Sequence, residues 1–189
     1  MSDLLKTIQT RHSCRKYTDV PVTQEQIDEL VKAALAAPTA FDAQPFKLLV
    51  ISNKEIIQDL NDQAMVIIEA TNKPYYEKIM ERGGKPYYNA NVMFVILKET
   101  NNPQAGDGLG DINTGIMAQN LALAAYGLDL GSVIAQSAGI PFGGANGAQL
   151  KAKVGWPEGY DYGVGVLVGN PDMTKEPHEL SFDKVVYTK

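Results

Sequence analysis

Arg11, Ser13 and Arg15 alternate with other residues near the start of the chain, and their side chains could bind an anion. In an extended segment, side chains two positions apart point to the same side, so these three would lie together. Two guanidinium groups and a hydroxyl suit an anion with several oxygens, such as a phosphate. The alternative is a solvated turn in which the arginine stems cover apolar surface.

Composition restricts what else the chain could bind. The formal net charge is -5, which disfavours non-specific nucleic-acid binding. With 44% hydrophobic and 21% charged residues the sequence is typical of a globular protein, and we treat residues 1–189 as a single domain. No apolar stretch is long enough to cross a bilayer, so we expect no membrane partner.

Cys14 is the only cysteine and cannot form an internal disulfide, which fits a reducing compartment. The N-terminus lacks the pattern of a signal peptide, so we expect a cytoplasmic protein. The histidines and the cysteine lie too far apart in sequence to predict a metal site. Because nothing else indicates nucleophilic catalysis, we interpret Cys14 as structural rather than as an activated thiolate.

Periodicity and capping residues predict the elements that position these side chains. Thr23 followed by Gln26 predicts a capping box, and the continuous apolar run at 92–97 predicts a strand that is buried on both faces. The predicted helices begin at Ser2 or Asp3 and at Asn53, or span 23–37, 111–126 and 146–154, and the predicted strands span 47–51, 92–97, 132–135 and 163–168. This order lacks regular strand–helix–strand alternation, which favours an α+β layered domain over a doubly wound sheet.

The helix predicted over 111–126 is apolar nearly all round, which predicts that it is buried. Gly115, Ala118, Ala122 and Ala125 form a stripe of small residues on it. Such a stripe would let another backbone approach closely, and we expect it to serve a subunit interface.

A second distinctive segment, residues 37–46, reads Ala-Pro-Thr-Ala-Phe-Asp-Ala-Gln-Pro-Phe. Together with residues 11–15 it resembles the nitroreductase family of FMN-dependent NAD(P)H oxidoreductases, whose signature at this place is Ala-Pro-Ser-x-x-Asn-x-Gln-Pro-Trp. The resemblance is strongest over 8–52 and 111–171. It implies a nitroreductase-like α+β fold with a central mixed or antiparallel sheet flanked by helices. It also implies a homodimer of the domain-swapped type with FMN at the subunit interface.

The resemblance also implies which residues contact the cofactor. These are Arg11, Ser13 and Arg15 around the phosphate, His12 at the edge of the cofactor, Pro38, Thr39, Asp42 and Gln44 on the other subunit, and Ala138 and Gly139 in the loop after the central helix. In the family a main-chain amide of that loop reaches flavin N5, where it would stabilise charge that develops during hydride transfer. The alternative for this loop is a simple glycine-containing turn.

Some positions depart from the family pattern. Asp42 stands where asparagine is usual, and an ionised carboxylate accepts hydrogen bonds but donates none. We expect it to disfavour negative charge on the reduced flavin and so to lower its reduction potential. No arginine follows Arg82, so Lys175, His178 or Lys184 would have to replace the basic residue that usually completes the phosphate site.

The mechanism that the resemblance implies is ping-pong. NADH or NADPH passes a hydride to flavin N5, and a nitroaromatic, quinone or enone acceptor then takes it from the same slot. The flavin does this chemistry, so no side chain is named as catalytic. Two other functions stay open: a flavin-binding or storage protein with little turnover, and a phospholigand-binding domain that uses no flavin.

Three further segments contain residues that could have a function. Gly106, Gly108 and Gly110 match a dinucleotide-binding loop poorly. Glu99, Asp107 and Asp111 could form an acid–base pair, but we prefer to interpret them as solvated loop carboxylates and a helix cap. Finally, we expect residues 70–90 to shape the acceptor pocket, because they include four tyrosines. These are Tyr75, Tyr76, Tyr87 and Tyr88.

Overall fold

An antiparallel sheet forms the centre of the fold in the computed structural model, which describes residues 3–102 and 108–188. The strands are β1 (Phe46–Ile51), β2 (Val92–Glu99), β3 (Gly131–Ala135) and β4 (Tyr160–Gly169), in the spatial order β1-β2-β4-β3. The helices are α1 (Asp3–Thr10), α2 (Gln24–Leu35), α3 (Lys54–Thr71), α4 (Lys73–Met80), α5 (Leu109–Gly127) and α6 (Gly147–Lys153). All three strand pairs are antiparallel, so the sheet is not mixed.

Local capping chemistry explains where the predicted helices begin. The Thr23 hydroxyl accepts from the Gln26 amide while the Gln26 side chain accepts from the Thr23 amide, so the predicted capping box is present. The Asn53 side chain accepts from two amides of the first turn of α3. Both predicted starts are confirmed. Of the two caps proposed for α1, Ser2 lies outside the described residues.

The two faces of β2 pack against different helices, which makes a three-layer α+β domain. Val92, Phe94 and Ile96 lie in the apolar cluster that includes α2 and α5. Met93 and Val95 lie in the cluster on the other face, with α3. The prediction that this strand is buried on both sides is therefore confirmed. None of the helices in the described ranges is both long and apolar enough to traverse a membrane.

Helix α5 is buried as predicted, but its small residues have a different role. Ala118, Ala122 and Ala125 are at most 1% exposed within a single chain. They let α5 pack closely between α2 and the sheet of its own chain. The expectation that the stripe serves a subunit interface is therefore wrong for these alanines, and only Gly115 of the four is exposed.

Candidate functional site

The arginine segment lies along the free edge of β3. Ser13 pairs in parallel with Ser132, and the Cys14 amide donates to the Ser132 carbonyl at 2.8 Å. The Cys14 side chain is buried beneath this contact, where a Cβ on Gly131 would lie 2.6 Å from its sulfur. Because alternate residues of an extended segment face opposite sides, the neighbours of Cys14 face away from the core.

Arg11 contains an unusual buried donor. Its Nε is buried and has no hydrogen-bond acceptor among the described residues. Leaving such a donor unpaired costs about 1–3 kcal/mol, so native proteins rarely tolerate one without a functional reason. An anionic ligand beside Arg11 would satisfy it. Ser13 is half-buried nearby in sequence, and Arg15 is exposed.

The start of the C-terminal tail pairs with this segment. The Asp172 amide donates to the Lys16 carbonyl at 2.9 Å, and the side chains of the same two residues form an ion pair at 2.7 Å. The Arg15 amide contacts the Met173 sulfur at 3.1 Å. Beyond this point the three candidate bases of the tail are all exposed, and the choice among them stays open: Lys175, His178 and Lys184.

Cys14 is buried, and His12 is half-buried beside α5. Burial raises the pKa of the Cys14 thiol, and its Sγ donates to the Lys16 carbonyl at 3.2 Å. A thiol that is held protonated is a poor nucleophile, which agrees with the interpretation of Cys14 as structural. The His12 ring packs edge-on against Tyr126 near the C-terminal end of α5, with 6.0 Å between ring centroids.

The loop at 37–46 is strained and presents its side chains outward. Phe41, Asp42 and Gln44 have φ of 57°, 52° and 47°, in the left-handed region that costs non-glycine residues about 1–2 kcal/mol each. The Thr39 hydroxyl accepts from the Gln44 amide at 3.0 Å and fixes the turn. Pro38, Asp42 and Gln44 are exposed. Strain of this kind concentrates at binding sites.

The two predicted cofactor segments do not meet within one chain. The loop is anchored near the start of α5, where the Ala40 amide donates to Asn113 Oδ1 at 3.3 Å. The arginine segment contacts the other end of α5 through His12 and Tyr126. At 1.5 Å per residue, these anchor points are roughly 20 Å apart along the helix axis.

The loop after β3 forms a 3₁₀ turn over Gln136–Gly143. The Tyr162 hydroxyl donates toward the carbonyls of Ala135 and Gln136, both at 3.1 Å. Burial raises the pKa of Tyr162, and hydrogen bonds from the amides of Gly165 and Gly139 oppose that rise. The Tyr162 ring lies against Gly139, where a Cβ would come within 2.6 Å of it.

Sequence reasoning did not single out Gln136 and Ser137, which begin this turn. The first amides of such a turn have no acceptor within it, whereas those of Ala138 and Gly139 come later. Ala138 is also fully buried, while Gln136 is exposed. Only the turn geometry distinguishes these neighbouring amides, since the backbone donor is the same in every residue.

Two cavities are candidate ligand sites. One of about 380 Å³ lies beside the turn, between α5 and the ends of β3 and β4, and is lined by Gln136, Gly115 and Gly163 among others. A larger one of about 530 Å³ lies by α3, with lining that includes Asn61 and Tyr87. Neither cavity is lined by a predicted cofactor residue, but the smaller one adjoins Gln136, where the turn begins, so we favour it as part of the site.

The acidic residues near α5 do not form an acid–base pair. Asp111 accepts from Lys98 Nζ at 2.6 Å, and Glu99 accepts from Asn102 Nδ2 at 2.8 Å. Gly106 and Asp107 lie outside the described residues. Across 3–102 and 108–188, no cluster of three or more His, Cys, Asp or Glu side chains could hold a metal ion.

Comparison with known proteins shows which family the chain resembles in sequence and fold. A family model described as the nitroreductase family matches residues 8–169. An NADPH-flavin oxidoreductase of Vibrio harveyi is 29% identical over 187 residues, covering 93% of this chain and 69% of the relative. An FMN reductase (NAD(P)H) of Bacillus subtilis is 26% identical over 180 residues, covering 95% of this chain and 61% of the relative. The chain thus spans 61% to 69% of the length of these curated relatives.

One solved structure is similar over its whole length. It is a nitroreductase with bound FMN from Desulfitobacterium hafniense DCB-2, with a TM-score of 0.93 and 30% identity over 100% of both chains. The chain belongs to the nitroreductase family.

Proposed function

We propose that this chain is an FMN-dependent NAD(P)H oxidoreductase that acts as a homodimer. The observation that carries the proposal is the buried, unpaired Nε of Arg11, which lies in a fold similar to an FMN-bound nitroreductase. A phosphate at this place would accept from Arg11 and relieve the cost of its desolvated donor. The donor set therefore fits the phosphate end of FMN.

The chain's own residues bind and orient the cofactor. Arg11 and Ser13 donate to the phosphate from the edge of β3, and the exposed Arg15 adds a second positive charge. The unpaired amides at the start of the 3₁₀ turn, those of Gln136 and Ser137, supply main-chain donors for the flavin ring. When bound, FMN supplies hydride transfer at N5, and the acceptors it serves include nitroaromatics, quinones and enones.

A second copy of the chain would complete each site. The strained loop carries Thr39, Asp42 and Gln44 about 20 Å away from the arginine segment of its own chain, so its exposed side chains would serve the site of the other copy. The tail beyond residue 173 has the apolar surface that such an assembly would cover. Its exposed apolar residues are Leu180, Phe182, Val185, Val186 and Tyr187.

Mixed dimers test the shared site. Arg11→Ala disables the arginine segment, and Gln44→Gly removes a loop side chain at a left-handed position that glycine adopts without strain. Each variant alone should bind FMN weakly. After one-to-one subunit exchange, half of the dimers are mixed and each has one intact site, so roughly a quarter of the sites should recover.

The control for this experiment is a mixture of Arg11→Ala with Arg15→Ala. Both changes lie in the same segment, so no mixed dimer has an intact site and no FMN binding should recover. A wild-type protein that remains monomeric with FMN bound would contradict the shared site, as would a failure of the first mixture to recover binding.

A further inference from the structure

Two tyrosine hydroxyls lie against three successive carbonyls of the turn after β3, and Tyr162 shares its single proton between two of them. Tyr162 Oη lies 3.1 Å from the carbonyl oxygens of both Ala135 and Gln136. Tyr87 Oη lies 3.4 Å from the carbonyl oxygen of Ser137, a longer and weaker contact. Tyr162 comes from β4 and Tyr87 from the segment before β2, so two separate elements meet behind the turn.

Holding a carbonyl also fixes the direction of the next amide. Each peptide unit is planar and trans, so its C=O and N–H point in opposite directions. The Ala135 carbonyl shares a plane with the Gln136 amide, and the Gln136 carbonyl shares one with the Ser137 amide. Because both carbonyls face Tyr162, both amides point away from it. These are the amides that lack an acceptor within the turn.

The surroundings of Tyr162 leave space for its ring and hydroxyl. A Cβ on Gly139 would lie 2.6 Å from the ring. A Cβ on Gly165 would lie 3.3 Å from the hydroxyl oxygen and 3.2 Å from the Ala135 carbonyl oxygen. Side chains at either glycine would displace the tyrosine or the turn, because real Cβ contacts are rarely so short.

Tyr87 and Tyr162 lie close enough for their phenols to influence each other. Burial raises the pKa of Tyr87, and the neighbouring phenols of Tyr162 and Tyr75 raise it further. Tyr87 is only 1% exposed. The hydroxyls of Tyr87 and Tyr162 therefore remain protonated as donors at neutral pH. If these side chains only filled space, phenylalanine would serve better, because it has no hydroxyl to lose its hydration on burial.

We propose that Tyr162 is a positioning residue that aims the main-chain amides of Gln136 and Ser137 at the flavin ring. This inference rests on the proposed FMN site and adds to it the residues that orient its main-chain donors. Preorganised donors of this kind stabilise developing charge without reorganising during the reaction. Tyr87, from the segment at 70–90, supports the turn from behind through the Ser137 carbonyl.

The test compares Tyr162→Phe and Tyr87→Phe with a matched control, Tyr160→Phe. Tyr160 lies on the same strand two residues earlier and is also partly buried, and its hydroxyl makes no hydrogen bond among the described residues. Three quantities are measured. They are the exchange rates of the turn amides in the apoprotein, the midpoint potential of bound FMN, and the ¹⁵N chemical shift of N5 in labelled FMN.

Tyr162→Phe should speed exchange of the hydrogen-bonded turn amides, those of Ala138 and Gly139, roughly three- to tenfold, as expected for the loss of one hydrogen bond. It should also shift the flavin potential and the N5 resonance. Tyr87→Phe should give a smaller change, because its contact is longer and restrains the following peptide, that of the Ala138 amide. Tyr160→Phe should leave all three quantities unchanged.

The outcomes separate this inference from the proposed function. If wild-type protein binds FMN but Tyr162→Phe leaves its potential and N5 shift unchanged, the positioning role is wrong and the oxidoreductase proposal stands. If wild-type protein binds no FMN, the proposed function fails and the positioning role fails with it. Should Tyr162→Phe not fold, Gly139→Ala displaces the Tyr162 ring, because the added Cβ would lie 2.6 Å from it, and an unchanged N5 shift in that variant would overturn the inference.

Discussion

The Tyr17 hydroxyl donates to the carbonyl oxygen of Cys14 at 2.9 Å and lies 3.2 Å from the carbonyl oxygen of Leu167. It therefore joins the arginine segment to β4, and the Tyr17 side chain is only 4% exposed. Because Arg11, Ser13 and Arg15 belong to this short segment, its attachment to the sheet fixes the backbone of the predicted phosphate site.

The buried, protonated side chains of Tyr17 and Cys14 lead us to expect that the protein loses stability at alkaline pH. Burial raises the pKa of both Tyr17 and Cys14, so the folded state holds their protons more tightly than the unfolded state does. Their stabilising contribution is complete at neutral pH and is lost as the pH rises above the ordinary values of about 8.5 for Cys and about 10 for Tyr. We expect the free energy of unfolding in urea to fall between about pH 8 and pH 11.

Tyr17→Phe tests how much Tyr17 contributes to the loss of stability at alkaline pH. The variant loses the hydrogen bond to Cys14, so it should be about 1 kcal/mol less stable than wild type at neutral pH. It should also lose less stability between neutral and alkaline pH, because one titrating group is gone. An alkaline decline as steep as that of wild type would show that Tyr17 does not contribute to it.

Arg11 should matter more for FMN affinity than Arg15. Arg11→Ala removes a partly buried charged donor and should weaken binding by about 1.5–3 kcal/mol, whereas the exposed Arg15 should contribute about 1 kcal/mol. Lys16→Ala is the matched control, since Lys16 is paired with Asp172 on the surface. Titration of apoprotein with FMN measures all three, and equal affinity in Arg11→Ala and wild type would refute the phosphate site.

Thr39 should affect FMN binding indirectly, by holding the conformation of the loop at 37–46. Thr39→Val keeps the side-chain volume but removes the acceptor for the Gln44 amide, so FMN affinity should fall about three- to tenfold. Thr39→Ser keeps the hydroxyl and should bind within roughly twofold of wild type. Fluorescence titration with FMN compares the two. Tight binding by the valine variant would mean that this hydrogen bond does not organise the site.

Asp42 should lower the potential of the flavin. Asp42→Asn removes a negative charge, and the amide can donate a hydrogen bond, so reduction should become easier and the midpoint potential should rise. Asparagine also tolerates the left-handed conformation that Asp42 adopts. Potentiometric titration of the bound flavin measures the shift. An unchanged or lower potential would contradict a position of Asp42 close to the ring.

The sequence predicted those features that depend on local chemistry or on a simple period. The capping box at Thr23 and the two-sided burial of β2 follow from neighbours along the chain, and both are confirmed. The role of the alanines on α5 was mispredicted, because a stripe of small residues does not reveal whether its close partner is the same chain or another. Packing against α2 decides that.

Features that depend on distant contacts could not be predicted. Nothing around Tyr162 in the sequence indicates that its hydroxyl would meet the carbonyls of Ala135 and Gln136. The left-handed conformation of Phe41 could not be predicted from the sequence either, since a bulky residue rarely adopts it. The resemblance to a family gave the general position of the main-chain donor, but the turn geometry was needed to distinguish adjacent amides.

The most direct test of the central claim is an anaerobic titration of the FMN-loaded protein with NADH and, separately, NADPH, followed by visible absorbance. The proposal predicts that the protein binds FMN and that at least one donor rapidly bleaches the flavin band, which an added quinone or nitroaromatic then restores. Protein that binds FMN but keeps its colour with both donors would contradict the oxidoreductase proposal and favour a flavin-binding protein. Protein that does not take up FMN would contradict the cofactor assignment itself.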